Sequence, residues 1–217
     1  DLETCMETSL TLDNAQGGGV IAINAKQLTD ILNLFSDVPL TFKIDLTSYK
    51  IDILSASGKY SIAGVSGEEF PKKQAMDSSK SSFSIAPESL FKGIASTLFA
   101  TSDDEARPVL TGILFELTPE HLRFVSTDSH KLARYTRTDV KADDKASFVI
   151  PKKTATIMKG LLQKETEPVT VEFDSQQVMF ICSSFVLNSR LIAGTYPNYN
   201  AVIPVENPNV LTVNKSV

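Results

Sequence analysis

Ala146-Ser147-Phe148-Val149-Ile150-Pro151-Lys152 is a run of strand-forming residues that stops on a proline and passes at once into an amphipathic segment. Gly19-Val20-Ile21-Ala22-Ile23-Asn24-Ala25-Lys26 does the same, and Lys26 stands 126 positions before Lys152. Each block runs on into alternating strands. The first closes on Phe70-Pro71 and the second on Tyr196-Pro197, again 126 positions apart. Equal spacing at both ends of a block of roughly 45 residues points to an internal duplication.

The second copy has a leading part that the first lacks: a strand at 82–85, a helix at about 87–101, and strands at 110–117 and 121–126. Asp1-Leu2-Glu3 aligns with Asp128-Ser129-His130, 127 positions later. The expectation is that the chain begins inside one unit. It would end, at Leu211-Thr212-Val213-Asn214, where the strand and helix of another would follow. The polar stretch 70–82 is the expected linker between units.

Three helices are expected, at about 25–35, 87–101 and 152–163. Their inward faces would carry Leu28, Ile31, Leu32 and Phe35; Leu90, Ile94 and Leu98; and Ala155, Met158, Leu161 and Leu162. Strands are expected at 40–44, 50–54, 59–63, 169–173, 177–182 and 185–191. Two or more strands follow each helix, so the fold class is α+β and not an alternating βαβ fold.

The chain has 217 residues, 42% hydrophobic and 22% charged, with a net charge of −5. That balance argues against a protein that wraps nucleic acid with its whole surface. The charge is unevenly placed. Lys26, Lys92, Lys152, Lys153, Lys159 and Lys164 lie on the helices or at their ends, against Asp30 and Glu88 alone. On the third helix Lys152, Thr156, Lys159 and Gln163 recur at three- and four-residue steps. Such a stripe reads either as a solvated face or as a surface for a phosphate backbone. Basic helices in an otherwise acidic chain favour the second reading.

The start of the chain has neither the basic residues nor the apolar stretch of a signal peptide. No apolar run approaches the ~18–20 residues of a membrane span. A cytoplasmic protein without membrane contact is expected. Cys5 and Cys182, with two histidines, make neither a disulfide framework nor a zinc cluster, so no metal or cofactor is expected. There is no phosphate-binding glycine loop and no nucleophile elbow. Asp103-Asp104-Glu105 reads as a solvated loop. Asp128 and His130 are the residues that an α+β enzyme would use, and a non-DNA adaptor repeat is a further alternative.

Three segments carry a resemblance. Asp104-Glu105-Ala106-Arg107-Pro108-Val109-Leu110-Thr111-Gly112-Ile113-Leu114-Phe115-Glu116 is similar to the middle domain of the bacterial sliding clamp, the beta subunit of DNA polymerase III. Phe124-Val125-Ser126-Thr127-Asp128-Ser129-His130-Lys131-Leu132-Ala133 resembles that family's Ala-Thr-Asp-Gly-His-Arg-Leu-Ala segment. Ser189-Arg190-Leu191-Ile192-Ala193-Gly194-Thr195-Tyr196-Pro197-Asn198-Tyr199 resembles its Leu-Ile-x-Gly-x-Phe/Tyr-Pro-x-Tyr segment. The three occur in the family's order.

The resemblance implies a DNA-clamp fold: three similar domains per chain, helices lining a hole, antiparallel sheets outside, and two chains closed head to tail. It implies a non-enzymatic processivity factor that encircles double-stranded DNA without sequence preference. Its partners would be DNA polymerase III and clamp-loader subunits, docked through short peptide motifs. Residues 1–80 would be the later part of domain I, 81–204 the whole of domain II, and 205–217 the start of domain III. The full-length protein would be a homodimeric ring, which this incomplete chain would not close. The partner pocket's second-domain wall would be Arg107, Leu110, Thr127, Ser129, His130, Lys131, Leu132, Pro197, Ala201 and Val202. Leu110, Leu132 and Val202 could equally be core. Ser129 replaces a common glycine, Lys131 a common arginine, and Ala201 a position that is arginine in some members. Lys152 and Lys153 match basic residues facing the hole. Lys26, Lys92 and Lys159 join them by helical position.

Overall fold

The structure, a computed structural model, describes residues 3–71, 75–140 and 145–214. In chain order the regular elements are β1 (Thr4–Glu7), β2 (Ile21–Ala22), α1 (Ala25–Leu32), β3 (Thr41–Asp45), β4 (Lys50–Ser55), β5 (Gly58–Ala63), β6 (Val65–Ser66) and β7 (Ser81–Ile85). They continue with α2 (Pro87–Thr97), β8 (Gly112–Leu117), β9 (Leu122–Thr127), β10 (Leu132–Arg137), β11 (Ala146–Pro151), α3 (Lys152–Leu161), β12 (Val169–Phe173), β13 (Gln177–Ile181) and β14 (Val186–Arg190). The chain divides into two compact units, one of residues 10–74 and one of residues 1–9 with 75–217.

In the smaller unit the antiparallel sheet β3-β4-β5 turns Ile51, Ile53 and Ile62 toward Leu28, Ile31 and Phe35 of the α1 segment. Asn24 caps α1, its Oδ1 accepting from the backbone N–H of Gln27 at 3.0 Å. The helix stops at Leu32 and not at 35 because Leu34 and Phe35 donate three residues back, to Ile31 and Leu32, tightening the last turn.

In the larger unit two antiparallel sheets, β1-β14-β13-β12-β7 and β10-β9-β8-β11, share one core with α2 and α3. Strand β8 alternates as the pleat requires. Ile113, Phe115 and Leu117 enter the main core, while Leu114 faces a second cluster with Val125, Val149 and Tyr199. An aromatic ladder ties the sheets together. Phe115 lies 4.7 Å from Phe124 and 5.0 Å from Phe148, and Phe148 lies 4.5 Å from Phe173 of the other sheet. Pro87 opens α2 at its first turn. Both long helices end in single 3-10 turns, Leu98–Ala100 and Leu162–Lys164, and so are shorter than their hydrophobic spacing suggests.

Three expectations are corrected. The strand expected from residue 110 begins at Gly112, because Pro108–Thr111 forms a 3-10 turn in which Leu110 donates to the Arg107 carbonyl at 3.0 Å. β10 was not expected. It is an edge strand in which Arg134, Thr136 and Arg137 interrupt the apolar alternation. Thr4–Glu7 pairs with Ser189–Val186 of β14 and packs in the larger compact unit. Asp1 and Leu2, part of the repeat alignment, lie outside the described residues. The expected linker is already tethered from residue 75, where Gln177 Nε2 donates to the Ala75 carbonyl at 3.1 Å and the Asp77 N–H donates to Asp174 at 3.0 Å. Residues 205–214 form no helix or strand, and 215–217 lie outside the described residues.

Candidate functional site

The turn between β9 and β10 holds five of the ten expected pocket residues, Thr127, Ser129, His130, Lys131 and Leu132. Asp128 organises it. Its Oδ1 accepts from the backbone N–H groups of His130 at 3.0 Å and Lys131 at 2.9 Å, and its Oδ2 accepts from the Lys131 ammonium. The ammonium, reinforced by those N–H groups, holds the Asp128 carboxyl well below the usual carboxylate range. Thr127 Oγ1 donates to the Lys131 carbonyl at 2.7 Å and accepts from Ser129 N–H at 3.1 Å. Ser129 has φ of +79°, the left-handed region. That is the reason glycine suits this position. Because the Asp128 carboxylate serves the turn, the geometry offers no support to an Asp128–His130 enzyme, whose base would have to face the imidazole.

Arg107 and Leu110 lie on a second segment, at the Pro108–Thr111 turn. Arg107 Nη1 donates to Ser129 Oγ at 2.7 Å and its Nε to Asp104 Oδ2 at 3.0 Å, which joins the Pro108–Thr111 turn to the hairpin. Leu110 is buried, at 3% exposure, and Leu132 is half-buried against Leu114, Val125, Val149 and Tyr199. Pro197, Ala201 and Val202 lie on a third segment, with Tyr199–Val202 in a 3-10 turn. Val202 is 71% exposed, which removes the core reading for it.

This third segment is anchored by residues that sequence reasoning left out of the site. The buried Tyr196 hydroxyl lies against the backbone of Thr127, and burial pushes its pKa up to about 12. Tyr199 OH donates to Glu116, which also accepts from Arg123 at 3.1 Å. Gly194, at φ +123°, lets the segment approach Val109, whose Cγ1 would lie 2.8 Å from an added Cβ. The aromatic-Pro-Asn-Tyr spacing of 196–199 was the available signal. A cleft of about 410 Å³ lies beside this segment and is lined by Glu116, Ser147, Val149, Ser175 and residues 191–200. Of the expected pocket residues only Pro197 lines it.

Of the lysines expected to face DNA, Lys92 lies on α2 and Lys152, Lys153 and Lys159 on α3, two helices packed against each other. Lys26 is the second residue of α1 in the smaller unit. Thr154, Ala155 and Met158 are buried, while Lys153 and Thr156 are exposed. Lys92 pairs with Glu88 at 2.6 Å, and Lys152 with Asp103 at 2.6 Å. Asp103 and Asp104 therefore each hold a cation, Lys152 and Arg107. Lys152 and Lys153 occupy the first turn of α3, where the helix dipole disfavours positive charge, and no acidic residue sits there. Among the described residues no helix is long and apolar enough to cross a membrane.

Both the sheet arrangement and this helix pair recur in sliding clamps of solved structure. The beta subunit from Pseudomonas aeruginosa aligns with a TM-score of 0.89 at 25% identity, covering 95% of this chain and 56% of that one. The clamp from Bacillus subtilis aligns with a TM-score of 0.84 at 25% identity, over 95% of this chain and 56% of that one. Residues 84–198 match the DNA polymerase III beta subunit, central domain. The beta sliding clamp of Synechococcus elongatus is 30% identical over 216 residues, 97% of this chain and 56% of that protein. The chain belongs to the DNA polymerase III beta subunit family. It spans about half the length of the curated relatives it matches.

Proposed function

We propose that this chain is part of a sliding clamp, a non-catalytic cytoplasmic processivity factor that encircles double-stranded DNA as a homodimeric ring. In that reading residues 81–204 are its domain II, flanked by parts of domains I and III. It would tether DNA polymerase III and clamp-loader subunits through short peptides. The match of residues 84–198 to the beta-subunit central domain carries this reading. The lysine-bearing helices agree with it: a ring holds DNA by topology, so weak, salt-dependent phosphate contacts suffice. Lys26, Lys92, Lys152, Lys153 and Lys159 would make them.

The partner site is the meeting of the β9–β10 turn, the Pro108–Thr111 turn and the Pro197–Val202 segment. A short extended peptide with a glutamine and a closing Leu-Phe pair would bury those two side chains against Leu132, Leu110 and Val202. Each contributes about 1.5–3 kcal/mol when fully buried. Arg107, His130 and Lys131 would form the rim. Titrating such a peptide into the 15N-labelled chain should shift the amides of 107–112, 127–132 and 197–202, and Leu132→Asp should abolish the shifts. Shifts elsewhere, or a titration unchanged in Leu132→Asp, would remove the pocket from this place.

A further inference from the structure

Ser129 occupies a backbone conformation that glycine or asparagine would adopt at lower cost, yet it carries a side chain with a definite task. Its Oγ accepts from Arg107 Nη1 at 2.7 Å. The hydroxyl's position is set by the turn itself, because Ser129 N–H is bound to Thr127 Oγ1 and that oxygen in turn to the Lys131 carbonyl. The guanidinium is held at a second point by Asp104. One bond therefore straps the wall carrying Leu110 to the wall carrying Leu132. Of the guanidinium's five N–H donors, these contacts use the Nε–H and one on Nη1, leaving the second Nη1–H and the Nη2 pair, and the Nη2 pair is free for another acceptor.

We propose that Ser129 is a positioning residue for peptide docking: it holds Arg107 so that Nη2 meets a main-chain carbonyl of an extended peptide lying over Leu132. The assignment rests on the partner-pocket reading above. A neutral carbonyl is the acceptor that fits, because Asp104 already neutralises the guanidinium, and the neighbouring Lys131 is likewise paired with Asp128. The strap sets the mouth before the peptide arrives, so less order has to be imposed on binding.

The test is a double-mutant cycle on the whole chain, using a Gln-containing peptide that ends in Leu-Phe, alongside the NMR signal of the Arg107 Nη1–H. Ser129→Ala should lower affinity by roughly three- to tenfold, the range of one hydrogen bond's ordinary net contribution. In an Arg107→Ala background it should do nothing further. Ser129→Asn, which tolerates positive φ and keeps an oxygen acceptor, should retain affinity. Without peptide, Arg107 Nη1–H exchange should be slow in the parent and in Ser129→Asn, and fast in Ser129→Ala, which removes its acceptor. Additive effects of the two substitutions, or Nη1–H exchange indifferent to Ser129→Ala, overturn the strap. If Leu132→Asp binds as well as the parent, the pocket itself falls, and this assignment with it. If Leu132→Asp abolishes binding while the cycle is additive, the strap alone falls.

Discussion

Lys153 lies in the first turn of α3, at the positive end of the helix dipole. If its purpose is to meet phosphates, Lys153→Glu should weaken binding to duplex DNA at low salt and flatten the slope of log K against log salt by about one unit for each phosphate no longer neutralised. Salt-dependent fluorescence anisotropy measures the effect. Binding and slope unchanged by the substitution would count against the phosphate role. At this scale the sequence was legible in part. It marked Leu110 and Val202 as alike, yet one is buried and the other projects into solvent. Nothing in a single chain's residue types separates those outcomes, because burial is decided by what folds over them.

Two glycines of the helical elements make opposite predictions from one rule. Glycine in a helix interior costs roughly 0.5–1 kcal/mol relative to alanine. A Cβ on Gly160 of α3 meets nothing within 4 Å, so Gly160→Ala should stabilise by about that amount. A Cβ on Gly93 of α2 would lie 2.5 Å from the Phe124 ring, which Phe115 and Tyr135 hold in place. Gly93→Ala should therefore destabilise by about 1–3 kcal/mol despite its better propensity. Thermal melts of both variants check the pair, and equal signs would show the Phe124 packing to be wrong. The existence of α1, α2 and α3 was legible from hydrophobic spacing. Their ends were not, because a 3-10 turn such as Leu98–Ala100 satisfies the same apolar spacing for a few residues more.

Across the molecule the two units have very unequal cores. The smaller buries Ile51, Ile53 and Ile62, while the larger fills both faces of its four-stranded sheet. Local stability follows buried apolar contact. Hydrogen exchange should release the amides of α1 and of β3 to β5 well before those of β8, β9, β12 and β13. The β1 amides bonded to β14 should exchange with the larger unit. Exchange of β1 together with α1 would contradict its place in the five-stranded sheet. The chain's own residues determined the α+β class, the 126-residue repeat and the segregation of lysines onto helices, because periodicity and charge are written residue by residue. Only the tertiary structure decided that Thr4–Glu7 joins β14, that Ser129 bonds Arg107, and that Tyr196 backs Thr127. Each joins residues far apart in sequence, and such pairings follow from how sheets and loops close on one another, which no local pattern encodes.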